Sequence, residues 1–169
     1  MNTFITFGTV DYLQKVKEKH PQETIILMSN GDNAMLLHET TRDTVFNSGY
    51  HYEVLDAVGS VEHGGFAVLN NIPVTDEGRS VFEYRFSQRA GLIEQEPGFI
   101  ALRVLRPMDT DTYVILTMWD SEMSFKKWQE SKNFEKAHQK RGASEEIDQQ
   151  KTSFPRPSYV TAYHVISVD

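Results

Sequence analysis

The stretch FIALRVLRPMDTDTYVILTMW at residues 99–119 predicts two strands joined by a tight connection. Residues 99–105 and 112–119 are rich in β-branched, aromatic and other apolar side chains, which is typical of strands in a sheet. Between them, residues 107–111 contain one proline and two aspartates, which favour a turn. We therefore expect a β-hairpin in the second half of the chain.

The segment before this hairpin predicts one strand and one helix. Residues 66–74 are largely apolar and are typical of a strand, whereas residues 76–90 place apolar side chains at helical spacing. Gly91 is suited to the end of that helix, and the turn EPG at residues 96–98 leads back into the hairpin.

The segment after the hairpin predicts two short helices and a closing strand. Ser121 is placed to cap a helix that carries Phe125 and Trp128, and Ser131 is placed to cap a second helix. Residues 159–168 then alternate between apolar and polar side chains, as a strand does. The resulting order of strand, helix, strand, strand, helix, helix and strand indicates a ferredoxin-like α+β fold.

Residues 1–63 predict a smaller, sheet-rich unit around one helix. Its expected strands span residues 2–7, 24–29, 34–39, 44–46 and 52–58, and its helix spans residues 11–19. The sequence NGDN at residues 30–33 favours a hairpin turn. Residues 59–65 contain three glycines and lack periodicity, which indicates a junction. We expect two domains, residues 1–63 and 64–169, with the first packed against the second.

The composition excludes several classes of protein. A chain of 169 residues with 39% hydrophobic and 24% charged residues is typical of globular domains. The absence of cysteine excludes disulfides and thiolate metal sites. A net charge of -7 argues against nucleic acid as a partner, because that binding depends on lysine and arginine. No apolar run is long enough to span a membrane, and the first residues do not resemble a signal peptide, so we expect a cytoplasmic protein.

Common catalytic motifs are absent, but one segment has an unusual charge. The sequence contains no GxGxxG, Walker, HExxH or GxSxG motif. Residues 126–141 are nevertheless locally basic in an acidic chain, with Lys126, Lys127, Lys132, Lys136, Lys140 and Arg141. This segment either binds a small anionic partner or forms a solvated helix face.

His138 differs from the other histidines in its neighbours. It follows Phe134 by four residues on a predicted helix, so the imidazole and an apolar ring share a face. An imidazole, aromatic rings and nearby cations suit a planar apolar macrocycle with carboxylate arms. The alternative is a histidine with a purely structural role.

The pattern W-x8-W-x5-F-x2-AH at residues 119–138 resembles the Isd-type heme-degrading monooxygenases of the antibiotic biosynthesis monooxygenase superfamily. The sequences LNNIPV at 69–74 and EPGF at 96–99 contribute to the resemblance, which covers residues 65–169. Members of that family are dimeric ferredoxin-like α+β barrels. The whole chain also resembles staphylococcal TRAP-like signalling proteins.

The resemblance to the heme-degrading family implies a site. Its catalytic asparagine, tryptophan and histidine match Asn70, Trp128 and His138, and His138 would bind the heme iron. Asn70 is followed by Asn71, and strand alternation allows only one of them to face the site. Residues implied in binding heme are His138, Phe134, Trp128, Lys132, Lys136 and Arg141.

The implied reaction is oxidative cleavage of heme with release of iron, using O2 and an external electron donor. Three alternatives remain open: a heme carrier or sensor, a signalling or stress protein, and an oxygenase without cofactor that acts on another substrate. We also expect a monomer in which residues 1–63 replace the second subunit, with a homodimer as the alternative.

Overall fold

The computed structural model describes residues 1–31, 33–88, 91–139 and 154–167, and for residues 133–139 it describes the backbone alone. Its strands are β1 (Asn2–Gly8), β2 (Thr24–Ser29), β3 (Ala34–Thr40), β4 (Tyr50–Val58), β5 (Phe66–Pro73), β6 (Phe99–Pro107), β7 (Thr112–Trp119) and β8 (Tyr159–Val165). Its helices are α1 (Val10–Glu18), α2 (Arg79–Ser87) and α3 (Glu122–Gln139), with short 3-10 turns at Val61–His63 and Leu92–Gln95.

The eight strands close into one antiparallel barrel in the order β1-β3-β2-β8-β5-β7-β6-β4. The neighbouring strands β8, β5, β7 and β6 form the ferredoxin-like sheet that the sequence predicts. Strands β1 to β4 form the other half of the barrel wall. The two halves join where β4 pairs with β6 and where β2 pairs with β8. The ferredoxin-like α+β barrel is therefore confirmed, and it closes within one chain.

The barrel interior contains apolar side chains from both halves of the chain. Ile5, Met28 and Leu37 come from the first half, and Leu69 and Leu116 from the second. Because successive side chains of a strand point to opposite faces, every second residue of each strand faces this interior. The remaining side chains face outward, where the helices cover them.

Each helix packs on the outside of the barrel. Leu13 of α1 is fully buried against the outer face of β2 and β3, and Phe82 of α2 packs against Tyr113. Phe125 and Trp128 of α3 pack against Trp119 of β7. A cavity of about 570 Å³ lies between α3, α2 and the sheet.

Two predictions about the first half of the chain and α2 are wrong in detail. Residues 44–46 are not a strand, because the Thr44 hydroxyl accepts a hydrogen bond from the backbone N–H of Phe46 and folds the segment locally. The helix expected from residue 76 begins at Arg79, because the Thr75 hydroxyl accepts the N–H of Gly78 and holds a turn there.

The two predicted helices after β7 are one continuous helix. Ser121 caps it as expected, since its hydroxyl accepts the N–H of Ser124 at 3.3 Å. Ser131 lies inside α3 on an exposed face and does not cap a second helix. No glycine or proline occurs between Glu122 and Gln139, so nothing in the sequence breaks the helix. The closing strand β8 ends at Val165, three residues earlier than expected.

No helix within the described residues is both long enough and apolar enough to cross a membrane.

Candidate active site

A cavity of about 570 Å³ lies on the outer face of the ferredoxin-like sheet, between β5, β7 and helix α3. Its volume falls within the range of about 300–1,000 Å³ that is usual for small-molecule sites. The sheet contributes Val68, Asn70, Leu102, Ile115, Thr117 and Val160, and α3 contributes Phe125, Trp128, Gln129 and Lys132. Phe86 and residues 91–93 line the remaining side.

Asn70 faces this cavity, whereas Asn71 faces the barrel interior. Asn71 is buried, and its Nδ2 lies 3.1 Å from the carbonyl of Leu69, 3.2 Å from that of Tyr159 and 3.2 Å from Thr161 Oγ1. Within the described part of the chain, the Asn70 carboxamide has no hydrogen-bond partner. Strand alternation therefore leaves Asn70 as the asparagine that can contact a ligand.

Trp128 contributes an indole ring to the helix side of the same cavity. Its ring lies 5.5 Å from that of Trp119 and 6.1 Å from that of Phe125, measured between centroids. These two rings pack behind it and restrict its position. The Nε1–H of Trp128 is buried and has no acceptor among the described residues. A buried donor without a partner is costly, so this N–H is available to a ligand or a water molecule.

Thr117 is a cavity residue that sequence reasoning missed. It lies on the central strand β7, it is buried, and its hydroxyl accepts the indole N–H of Trp119 at 3.0 Å. Alternation along β7 was the available signal, because Thr117 must share a face with Trp119. Val68, Leu102 and Ile115 were likewise missed as cavity residues, because apolar strand residues give no sign of which face they line.

The basic segment divides into solvated residues and a cavity residue. Lys126 is exposed and lies 3.5 Å from the carboxylate of Glu122, and Lys127 is also exposed. Lys132 is partly buried and lines the cavity. This side chain therefore places a positive charge at the edge of a space whose lining is mainly apolar.

The remaining predicted site residues lie beyond what the structure describes. His138, Phe134 and Lys136 belong to α3, but their side chains lie outside the described residues. Arg141 lies outside them entirely. The assignment of His138 as an iron ligand thus remains a prediction.

The other five histidines do not line this cavity. His38 is fully buried, with Nε2 3.0 Å from a carboxylate oxygen of Glu23 and Nδ1 3.2 Å from the Thr44 hydroxyl. His164 is exposed and lies 3.7 Å from Glu122. Within the described ranges, no group of three or more histidine, aspartate or glutamate side chains could hold a metal ion.

A polar network connects α2 to β6 and β7. Glu83 accepts hydrogen bonds from the guanidinium of Arg106 and from the Tyr113 hydroxyl. The bonds from Arg106 are the main reason that the pKa of Glu83 lies below its ordinary value. Burial raises the pKa of Tyr113. The neighbouring Phe86 separates the large cavity from a second one of about 300 Å³ that Glu83 lines.

Comparison with known proteins agrees with this architecture. The family described as antibiotic biosynthesis monooxygenase matches residues 65–140. A heme-degrading monooxygenase of Listeria monocytogenes is 31% identical over 129 residues, which is 76% of this chain and 77% of that protein. The signal transduction protein TRAP of Staphylococcus aureus is 24% identical over 131 residues, 78% of each chain.

A solved structure extends the similarity to the fold. The crystal structure of a heme-degrading enzyme from Listeria monocytogenes superposes with a TM-score of 0.67 and 27% identity, covering 97% of this chain and 99% of that one. Together with the closed ferredoxin-like barrel, these matches show that the chain belongs to the antibiotic biosynthesis monooxygenase family.

Proposed function

We propose that this protein is a heme-degrading monooxygenase, which cleaves the porphyrin ring oxidatively and releases iron. The observation that supports this proposal most directly is the placement of Asn70 and Trp128 on two walls of one apolar cavity. The Listeria monocytogenes relative supports heme as the substrate. O2, an external electron donor and a cytoplasmic location form part of the same proposal.

The cavity residues fit a heme. Most of the lining is apolar, as a macrocycle requires, and Lys132 can meet a carboxylate arm. The Asn70 carboxamide and the Trp128 N–H have no partners among the described residues, so both can interact with a bound ligand. We further propose Phe134, Lys136 and Arg141 as heme-binding residues, from their positions in the family pattern.

Each residue has a distinct proposed role. When bound, heme supplies the iron at which O2 reacts and the ring carbon that is oxidised. Asn70 donates a hydrogen bond into the cavity without adding a charge, which orients the oxygen substrate. Trp128 acts by shape, because Trp119 and Phe125 hold its ring against the cavity.

His138 is proposed as the ligand of the heme iron. It follows Trp128 by ten residues on the continuous helix α3, which corresponds to about 15 Å along the helix axis. Both residues therefore belong to one helix, and their separation along it is set by helix geometry. His138 would be the one protein ligand of the iron, and the bound heme would supply the site at which O2 is activated.

Heme titration followed by addition of ascorbate tests the proposed function. We expect a stoichiometric complex whose Soret absorbance disappears after ascorbate is added, with release of iron to a chelator. His138→Ala should abolish tight binding, while His164→Ala, which changes an exposed histidine that does not line the cavity, should not. Unchanged heme spectra in His138→Ala would remove that residue as the ligand.

Trp128 is tested by a change that keeps the heme in place. Trp128→Ala should still bind heme but degrade it more slowly, because the ring no longer presses on the macrocycle. Degradation by Trp128→Ala at the rate of the unmodified protein would contradict this role.

The same titration separates two other functions. A stable heme complex that survives ascorbate would indicate a heme carrier or sensor. The absence of any stoichiometric complex would favour a signalling role, which the similarity to the Staphylococcus aureus TRAP protein supports, or an oxygenase acting on a different substrate.

A further inference from the structure

We propose that Thr117 is a second polar contact for the oxygen substrate and that it acts together with Asn70. This inference rests on the proposed function, because it concerns the same cavity. It adds a residue that neither the sequence pattern nor the similarity to known proteins identifies.

The surroundings of Thr117 leave its hydroxyl able to donate a hydrogen bond into the cavity. Thr117 lies on a central strand, paired with Val68 on β5 and with Leu102 on β6. The nearby backbone groups are therefore engaged in the sheet. The hydroxyl oxygen already accepts the N–H of Trp119 at 3.0 Å. Among the described residues, no acceptor is available for the hydroxyl proton.

Trp119 fixes the position of this hydroxyl. Its ring is fully buried, and it contacts Phe99, Phe125 and Trp128. Accepting from such a rigid donor holds the hydroxyl oxygen in place, while its O–H can still rotate and donate in another direction. A buried hydroxyl next to an apolar space is costly unless a ligand or water accepts that proton.

Thr117 and Asn70 form one polar pair on the sheet wall. Asn70 pairs with Ile115, two residues from Thr117, so the two side chains are diagonal neighbours on adjacent strands. Diagonal neighbours lie about 7–8 Å apart between Cα atoms and closer at their side chains. The surrounding wall residues Val68, Leu102 and Ile115 are apolar. A small ligand at this wall therefore finds donors at two points.

Azide binding to the ferric heme complex tests this contact without requiring turnover. Azide is a small anion that occupies the open face of a heme iron and accepts hydrogen bonds. We expect Thr117→Val to weaken azide binding by about threefold or more, which is the effect of losing one modest hydrogen bond. Thr117→Ser keeps the hydroxyl and should bind azide like the unmodified protein.

A second variant controls for loss of stability in Thr117→Val. Thr117→Val leaves the buried N–H of Trp119 without an acceptor and could destabilise the protein. The double variant Thr117→Val/Trp119→Phe removes both groups, so no donor is left unpaired. It should fold and should show the same loss of azide affinity.

The possible results separate this inference from the proposed function. If the unmodified protein forms no heme complex, the proposed function fails. If heme binds and is degraded but both valine variants bind azide normally, only the role of Thr117 is wrong. A loss of heme affinity with unchanged azide affinity would also contradict it, because Thr117 would then contact the macrocycle instead of the small ligand.

Discussion

The carboxylate of Glu39 on β3 and the buried guanidinium of Arg103 on β6 form an ion pair between the two halves of the barrel. The distances are 2.6 Å from Nε to Oε2 and 3.2 Å from Nη2 to Oε1. Arg103 also donates to the carbonyls of Val58, Gly59 and Leu102. Strands β3 and β6 are not neighbours, so this pair connects residues that no strand pairing joins.

We expect Glu39→Ala to lower the free energy of unfolding by about 3–5 kcal/mol, because it leaves a buried guanidinium unpaired. The double variant Glu39→Leu/Arg103→Met, which removes both charges, should lose less than Glu39→Ala alone. Urea denaturation monitored by tryptophan fluorescence measures both. An equal loss of unfolding free energy in the two variants would show that the ion pair does not stabilise the contact between the two halves of the barrel.

Asn70 and Asn71 should respond to substitution in opposite ways. Asn71→Ala removes the hydrogen bonds that a buried side chain makes to β8 and should lower the free energy of unfolding by about 1–3 kcal/mol. Asn70→Ala removes no such bond and should change stability by less than about 0.5 kcal/mol, yet slow heme degradation. Urea denaturation and the ascorbate assay measure the two effects. The reverse result would mean that Asn71 faces the cavity and Asn70 faces the barrel interior.

Gly98 is the glycine on which the start of α3 depends. Its φ is +84°, and a Cβ there would collide with the Ser124 side chain and lie 2.7 Å from Asp120 Oδ1. We expect Gly98→Ala to cost more than about 1 kcal/mol of stability and to weaken heme binding, because α3 and its Trp128 must shift. Gly31→Ala is the matched control, since Gly31 has φ +96° but nothing within 4 Å of a Cβ. Heme titration should distinguish Gly98→Ala from Gly31→Ala. Equal heme affinity in the two variants would contradict the expectation that heme binding depends on Gly98.

Glu83 should make the free energy of unfolding depend on pH. Its pKa in the folded protein lies below the ordinary value of 4.5, chiefly because Arg106 donates hydrogen bonds to it. A lowered pKa means that the carboxylate stabilises the fold above about pH 4.5, and that this contribution is lost as the pH falls through the lower, folded-state value. Glu83→Gln should therefore be less stable than the unmodified protein at pH 7, with the difference shrinking below pH 4. If the difference in unfolding free energy between the two proteins stayed constant across this pH range, the lowered pKa of Glu83 would be contradicted.

The closed barrel predicts a monomer. Because β1 to β4 complete the wall within the chain, the described strands leave no inner face of the ferredoxin-like sheet for a second copy to cover. Light scattering at micromolar concentration should give a mass of 19.4 kDa. A mass twice as large that persists on dilution would overturn the expectation of a monomer. Loss of heme binding on dilution would also overturn it, because binding would then depend on a second copy.

The amino-acid sequence by itself determined the local elements and part of the candidate site. Alternation and turn residues define the hairpin of β6 and β7, since those signals lie within a few residues of one another. Trp128 and Asn70 could be proposed from motif spacing, which is also a local property. The absence of helix breakers between Glu122 and Gln139 was equally visible, although the serine at position 131 suggested a second cap.

Only the tertiary structure decided which surfaces meet. Asn70 and Asn71 are indistinguishable in sequence, and the packing of α3 on one face of β5 makes one a cavity residue and the other a structural one. Barrel closure and the pairing of Glu39 with Arg103 join residues 64 positions apart. The role proposed for Thr117 depends on a cavity that exists only after α3 packs on the sheet. These relationships depend on contacts between residues that are far apart in the sequence. The periodicity of neighbouring residues, from which helices and strands are predicted, carries no information about such contacts.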